Sequence, residues 1–386
     1  MKPKTLLYVA GIHPAGVGGF EVFVRALAEG LQNRGWRLAV CFEGDLPRHV
    51  NAYFREANVA VERLERQDRL SWKLMWSVFR LLVRYRPAVF FYAYYTVLRP
   101  YGWMCRLLGV RRVFYNDRSA RHPAYPARRR AWHIHLAARL ITLPLTGIIC
   151  VSDHVRENAI RESFVSANKI HAIRNGVIVT RTVSQVAAGE EFRLKYGIPQ
   201  GRLVVLQAGW MAPVKGFDVL LEAAKVVLKQ NTSLHFVLVG TGPHLEEYRD
   251  LAQRLGIHGN VVFTGRINEP TENGVFAAAD IYCQISRWEG LGVAVLEAMS
   301  FAKPVVAART GGLRELVVEG ESGFLVEAED VNGLAVRLQQ LAGDKRLRES
   351  MGEAGQRRVQ REFDVTRTAD RYLDVLGITR EAAIRK

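Results

Sequence analysis

The sequence predicts two doubly wound α/β domains, and three observations carry that prediction. The chain has 386 residues, more than one ordinary core holds, so two domains of roughly 150–200 residues each are expected. Short apolar runs alternate with stretches of helical spacing, the pattern of parallel sheets covered by helices. Many of those runs stop at glycine-rich turns, where a doubly wound domain holds its ligands.

Residues 5–10 read as a buried strand, followed by a loop over 11–19 with four glycines. Phe20, Phe23, Val24, Leu27, Ala28 and Leu31 then repeat at helical spacing, and residues 37–42 return to strand character. This is a βαβ start. Residues 71–86 place Trp72, Met75, Trp76, Phe79, Leu82 and Val83 among Lys73, Arg80, Arg84 and Arg86. Such a helix can pack on a sheet while exposing its arginines, or lie at a membrane interface with tryptophan anchors. Residues 88–92, 112–115, 148–151 and 171–173 are further strands, and 118–130, with five arginines and two prolines, is a basic loop.

Residues 178–189 have the weakest pattern and are assigned as the linker. Beyond it the alternation restarts: strands at 203–208, 234–240, 261–264, 280–284, 304–308 and 323–326, and helices at 217–229, 245–255, 271–279 and 331–342. The domains are drawn as 1–180 and 190–360, with 361–386 as a final segment suited to crossing back to the first.

Charge separates the two halves. Through residue 180 there are 28 Lys and Arg against 12 Asp and Glu, and the remainder has 26 of each. An anionic partner for the first domain follows, either a membrane surface or an anionic acceptor. Nucleic acid is not expected, because zinc spacings, an arginine-rich tail and a low-complexity arm are missing. Cys41, Cys105, Cys150 and Cys283 are scattered without a CxxC, so they read as buried thiols. Neither a secretory leader nor a run of about 20 apolar residues is found, which points to the cytoplasm, with docking on the inner membrane face compatible.

The second half gathers the ligand-binding signals. Gly209 to Gly216 links a strand to a helix and brings Lys215, a point charge suited to phosphate, near a helix start. Gly240-Thr241-Gly242-Pro243 closes the next strand and leaves room for a flat base or a ribose. Thr310-Gly311-Gly312 with Glu315 closes another. Ser286 to Met299 holds Glu289 and Glu297 eight positions apart, around a glycine turn that opens a helix. In the first half, Gly16-Val17-Gly18-Gly19 opens a helix without the dinucleotide spacing. The patterns GxxxxGK[ST], HExxH and GxSxG and a metal cluster are absent from the sequence.

Taken together these residues resemble the large retaining glycosyltransferase family 4, whose E-x7-E signature is matched by Glu289 and Glu297. The likeness extends over nearly the whole chain, including Gly18-Gly19, Asn175-Gly176-Val177, Lys215-Gly216 and the final segment. It implies the GT-B fold, two Rossmann-like domains facing across a cleft, with the acceptor on the first and a nucleotide sugar on the second. By the resemblance, Glu297 would hold the ribose hydroxyls, Glu289 the donor-sugar hydroxyls, and Lys215 would neutralise the diphosphate. Gly18, Gly19, Leu291, Gly292 and Val293 would meet the phosphates or the sugar, and Arg266 and Ile267 would border the base.

Two positions depart from the family pattern. Trp210 stands where an arginine is usual, and Tyr115-Asn116-Asp117 stands where a histidine is usual, leaving Asn116 or His122 to face the sugar near the reacting carbon. The implied activity is retaining transfer from a UDP-sugar, with GDP as the other base, to a hydroxyl acceptor, anionic or lipid-linked acceptors included, without metal or other cofactor. A phosphorylase or epimerase lacks its lysine or carboxylate pattern here. The other alternative is a non-enzymatic basic protein binding membrane or nucleic acid on a degenerate transferase scaffold.

Overall fold

The structure is a computed structural model and describes residues 3–65, 72–119, 132–162 and 164–379. The chain divides into two compact units, Met1–Asn175 with Val365–Lys386, and Gly176–Asp364.

Unit 1 is built on seven parallel strands: β1 (Lys4–Ala10), β2 (Trp36–Glu43), β3 (Ala60–Leu64), β4 (Val89–Ala93), β5 (Arg112–Asp117), β6 (Gly147–Cys150) and β7 (Ile170–Ala172). Their order is β3-β2-β1-β4-β5-β6-β7. The crossovers are α1 (Gly19–Gln32), α2 (Arg48–Glu56), α3 (Trp72–Tyr85), α4 (Tyr101–Leu107), α5 (Trp132–Thr142) and α6 (Asp153–Glu162). Strands β1 and β4 are wholly apolar or aromatic along their buried lengths, as a sheet covered on both faces requires.

Unit 2 opens with α7 (Val183–Lys195). Its strands β8 (Leu203–Ala208), β9 (Leu234–Val239), β10 (Val261–Gly265), β11 (Ile281–Gln284), β12 (Val305–Ala308) and β13 (Gly323–Val326) run in the order β10-β9-β8-β11-β12-β13. Its other helices are α8 (Phe217–Leu228), α9 (Leu245–Arg254), α10 (Val293–Ser300), α11 (Leu313–Leu316), α12 (Val331–Gly343) and α13 (Lys345–Glu362).

The last helix of the described residues is α14 (Val365–Val375), which packs on α1 in unit 1. The rings of Phe23 and Tyr372 lie 4.7 Å apart, and Arg34 pairs with Asp370 at 2.9 Å. Arg112 donates to Gly377 O at 2.8 Å.

Two expectations are corrected. The linker assigned to 178–189 is mostly α7, and the units separate at Asn175 and Gly176. Thr182 caps α7: its hydroxyl accepts from Gln185 N, and Gln185 Oε1 accepts from Thr182 N. Gly189 lies against Ala277, and Arg193 pairs with Asp280 at 2.8 Å. The pattern looked weak because α7 buries little else than Gln185, Gly189 and Phe192. Residues 271–279 form turns instead of a helix, with Gly274 in their midst at φ +73°, a left-handed conformation that an α-helix interior does not hold.

Candidate active site

Strand order reverses in unit 2 between β8 and β11, so the loops after these neighbours leave in opposite directions and open a crevice at their carboxyl ends. A buried glutamine stands next to last in β8 and last in β11. Gln207 donates to Lys215 O at 2.7 Å and accepts from Ile285 N at 3.3 Å, tying the two loops together. Tyr282 donates to Gln284, Gln284 to Ser286 Oγ, and Ser286 to Glu289 Oε2, at 2.9, 2.8 and 3.2 Å. The same Glu289 oxygen accepts from Lys215 Nζ at 2.6 Å. Residues 74 positions apart in sequence thus form a nearly buried ion pair, with side chains 22% and 14% exposed.

The loops are held from outside as well. Arg287 pairs with Asp218 at 2.7 Å, with Glu329, and with the carbonyl of Pro213. Gly311 has φ +49°, and a β-carbon there would sit 2.0 Å from Glu289 O; only glycine allows this approach. Thr310 Oγ1 donates to Ser286 O at 2.8 Å. Gly240, φ +141°, meets Gly209 O in the same close manner.

Glu297 projects from the second turn of α10, the helix that Gly292 caps in a left-handed conformation. Burial pushes its carboxyl up to about 7, and Arg181 partly opposes the shift. Arg181 is lowered by its own burial to about 10. It donates to Ser300 Oγ at 2.9 Å and lies 4.6 Å from the Phe301 ring centroid. Leu291 is buried and Val293 half-buried at the start of α10. Arg266 is exposed and Ile267 half-buried just after β10, whose Gly265 O accepts from Gly240 N at 2.9 Å. Unit 2 therefore brings together Lys215, Gly240, Arg266, Ile267, Glu289, Leu291, Gly292, Val293 and Glu297 around one strand-end face.

The remaining expected residues lie in unit 1. Gly18 precedes α1 and its N–H donates to Glu21 at 2.9 Å, with Gly19 as the first helical residue. Asn116 is corrected. It is fully buried, donates to Ile149 O and Tyr372 Oη at 2.9 and 3.0 Å, and accepts from Tyr8 at 3.2 Å. Its amide joins the sheet to α14 and has no group left for a sugar. His122 and most of the 118–130 basic loop lie outside the described residues. Trp210 is 56% exposed at the lysine loop.

Sequence reasoning missed Gln207, Gln284 and Arg181, and gave Ser286 no role of its own. The signal was available for the glutamines: each stands in the last two positions of an otherwise apolar parallel strand, where a buried polar side chain requires a partner.

Two family descriptions match the chain: "Glycosyltransferase Family 4" over residues 17–181 and "Glycosyl transferases group 1" over residues 189–358. An uncharacterized glycosyltransferase of Methanocaldococcus jannaschii is 24% identical over 95% of this chain and 96% of its own. A GDP-mannose-dependent α-(1-6)-phosphatidylinositol monomannoside mannosyltransferase of Mycolicibacterium smegmatis is 31% identical over 54% of this chain and 56% of its own. Among solved structures, Anabaena HepE in complex with UDP-glucose superposes with a TM-score of 0.78 at 21% identity, covering 97% of this chain and 100% of that one. WaaG, a lipopolysaccharide-biosynthesis glycosyltransferase, gives 0.71 at 17% identity over 96% and 99%. These structural matches are likenesses of fold.

Proposed function

The chain belongs to the family 4 glycosyltransferases of GT-B fold, and from that premise we propose that unit 2 holds a UDP-sugar for retaining, metal-independent transfer to a hydroxyl acceptor. The observation that carries the reading is the Lys215–Glu289 pair, 2.6 Å apart at the switch point, with Glu297 on the adjoining helix.

In this reading Glu297 accepts hydrogen bonds from the ribose diol and Glu289 from hydroxyls of the donor sugar. Lys215 shifts its charge toward the diphosphate as the sugar–phosphate bond lengthens. The donors are fixed beforehand by Gln207 and Ser286, so little reorganisation accompanies charge development. The glycosyl–phosphate bond breaks, the acceptor oxygen bonds to the anomeric carbon, and its proton passes to the departing phosphate oxygen on the same face. No carboxylate base is needed. Trp210 leaves Lys215 as the cation of its loop, and Arg181 is a further cation of unit 2, placed beside Glu297.

UDP is favoured by the nucleotide named with the HepE structures, while the mycobacterial relative named for GDP-mannose supplies the rival base. Thermal shift against UDP- and GDP-sugars separates them. Product NMR then reads the anomeric configuration, and turnover in excess EDTA tests metal independence. Inversion, or activity abolished by EDTA and restored by a divalent cation, overturns the corresponding element. A binding-only scaffold is not favoured, because it leaves the pre-aligned Lys215–Glu289 pair without a use.

A further inference from the structure

Unit 1 carries a surface that neither the donor site nor its own core uses. Helices α3, α4 and α5 pack in sequence, α3 on α4 and α4 on α5. Trp103 Nε1 on α4 donates to Leu140 O on α5 at 2.9 Å. The inner stripe of α3, Leu74, Val78, Leu81 and Leu82, is buried. Its tryptophans are not part of that stripe: Trp72 is 73% and Trp76 55% exposed. Leu107, at the end of α4, is 86% exposed.

The exposure of α5 is more unusual still. Of its described side chains only Ala138 and Thr142 are buried, while Leu136 and Leu140 are exposed one turn apart. A helix with apolar residues outward is either covered by a partner or lies in an interface.

Charge identifies the partner. Between Asp68 and Asp153 the sequence holds fifteen Lys and Arg and a single carboxylate, Asp117, which is 1% exposed. Lys73 and Arg80 on α3, Arg106 on α4 and Arg139 on α5 are all exposed. Two copies meeting through this face would bring like charges together, which opposes a symmetric dimer. Nucleic acid would engage the cations and stack on the tryptophans, but gives no role to Leu107, Leu136 and Leu140. Aliphatic and indole side chains interspersed with cations match a surface that is negatively charged outside and apolar beneath.

We propose that the α3–α4–α5 face docks on an anionic lipid bilayer, with Trp72 and Trp76 at headgroup depth and the surrounding cations on lipid phosphates. Docking does not require a transmembrane segment, and no described helix is long and apolar enough to cross a membrane. The proposal is independent of the donor-site reading, since every residue it uses belongs to unit 1.

The test is flotation of the full chain with vesicles of phosphatidylcholine alone or mixed with phosphatidylglycerol, at low and high salt. Wild type should float with the anionic vesicles at low salt, be released by high salt, and stay behind with phosphatidylcholine. Its tryptophan emission should shift to the blue on binding. The variant W72A/W76A should bind about tenfold less, because two interfacial anchors are lost. Both substitutions are at exposed positions, and an unchanged melting temperature confirms that the variant is folded. Failure of folded wild type to bind anionic vesicles at low salt overturns the proposal. So does equal binding by W72A/W76A, which reduces the contact to charge alone. A dimer dissolved by the same substitutions, or an oligonucleotide that displaces the vesicles, reassigns the face.

Discussion

Glu297 sets a pH dependence on donor binding. An ionised carboxylate can accept from both hydroxyls of a ribose diol, whereas the protonated acid offers a donor in place of an acceptor. With the carboxyl at about 7, and binding restricted to the ionised form, the apparent Kd is raised about 11-fold at pH 6 and about 1.1-fold at pH 8. Affinity should therefore rise about tenfold between those values. Calorimetry with an intact nucleotide sugar is the assay, because a free nucleoside diphosphate has a terminal phosphate that titrates in the same interval. Glu297→Gln should bind weakly with a flat profile. The free protein responds with the opposite sign: the folded carboxyl holds its proton more tightly than the unfolded one, so unliganded stability falls as pH rises from about 4.5 toward 7. Donor affinity that is constant from pH 6 to 8 in wild type, or E297Q matching wild type at pH 8, refutes the assignment.

Lys215→Ala should lower turnover by about 10²-fold, the scale of one electrostatic donor to a leaving group; turnover near wild type in a steady-state assay would defeat the role. Gly311→Ala forces a β-carbon onto Glu289 O, so it should cost more than about 1 kcal/mol in a thermal melt and reduce turnover with it. An unperturbed melt would show that the loop yields freely. Asn116→Ala leaves the Tyr8 and Tyr372 hydroxyls short of a partner and should destabilise by about 2 kcal/mol while donor affinity is unchanged. A selective loss of donor binding, with stability intact, would return Asn116 to the site.

The strands were legible because β1, β4, β8 and β9 are buried on both faces and so appear as apolar runs, broken in β8 only by Gln207 and in β9 only by His235. The site loops were legible because close backbone approaches, such as Gly311 on Glu289 and Gly240 on Gly209, leave glycines in the sequence. Helices with narrow buried stripes were not. In α13 only Met351, Gly352, Gly355 and Val359 are buried among eighteen residues, too few to register as a period. Asn116 was misread for a different reason. It stands at a strand end, as site residues do, but alternation places it on the face of Phe114, which belongs to the core shared with Tyr372. The direction of a side chain at a strand end depends on what packs there, and α14 arrives from more than 250 residues away.

That distant arrival gives the chain a direction in time. Unit 2 is an insertion whose two ends meet, Val177 bridging Asp364, so every residue it needs has been synthesised by residue 364. Unit 1 waits longer: Phe23, Arg34 and Asn116 gain their contacts with Tyr372 and Asp370 only when α14 emerges. During synthesis the later unit is therefore the first that can be completed. A chain stopped at Asp364 carries all of unit 2, while unit 1 lacks the cover that α14 gives to Phe23 and Gly30 of α1.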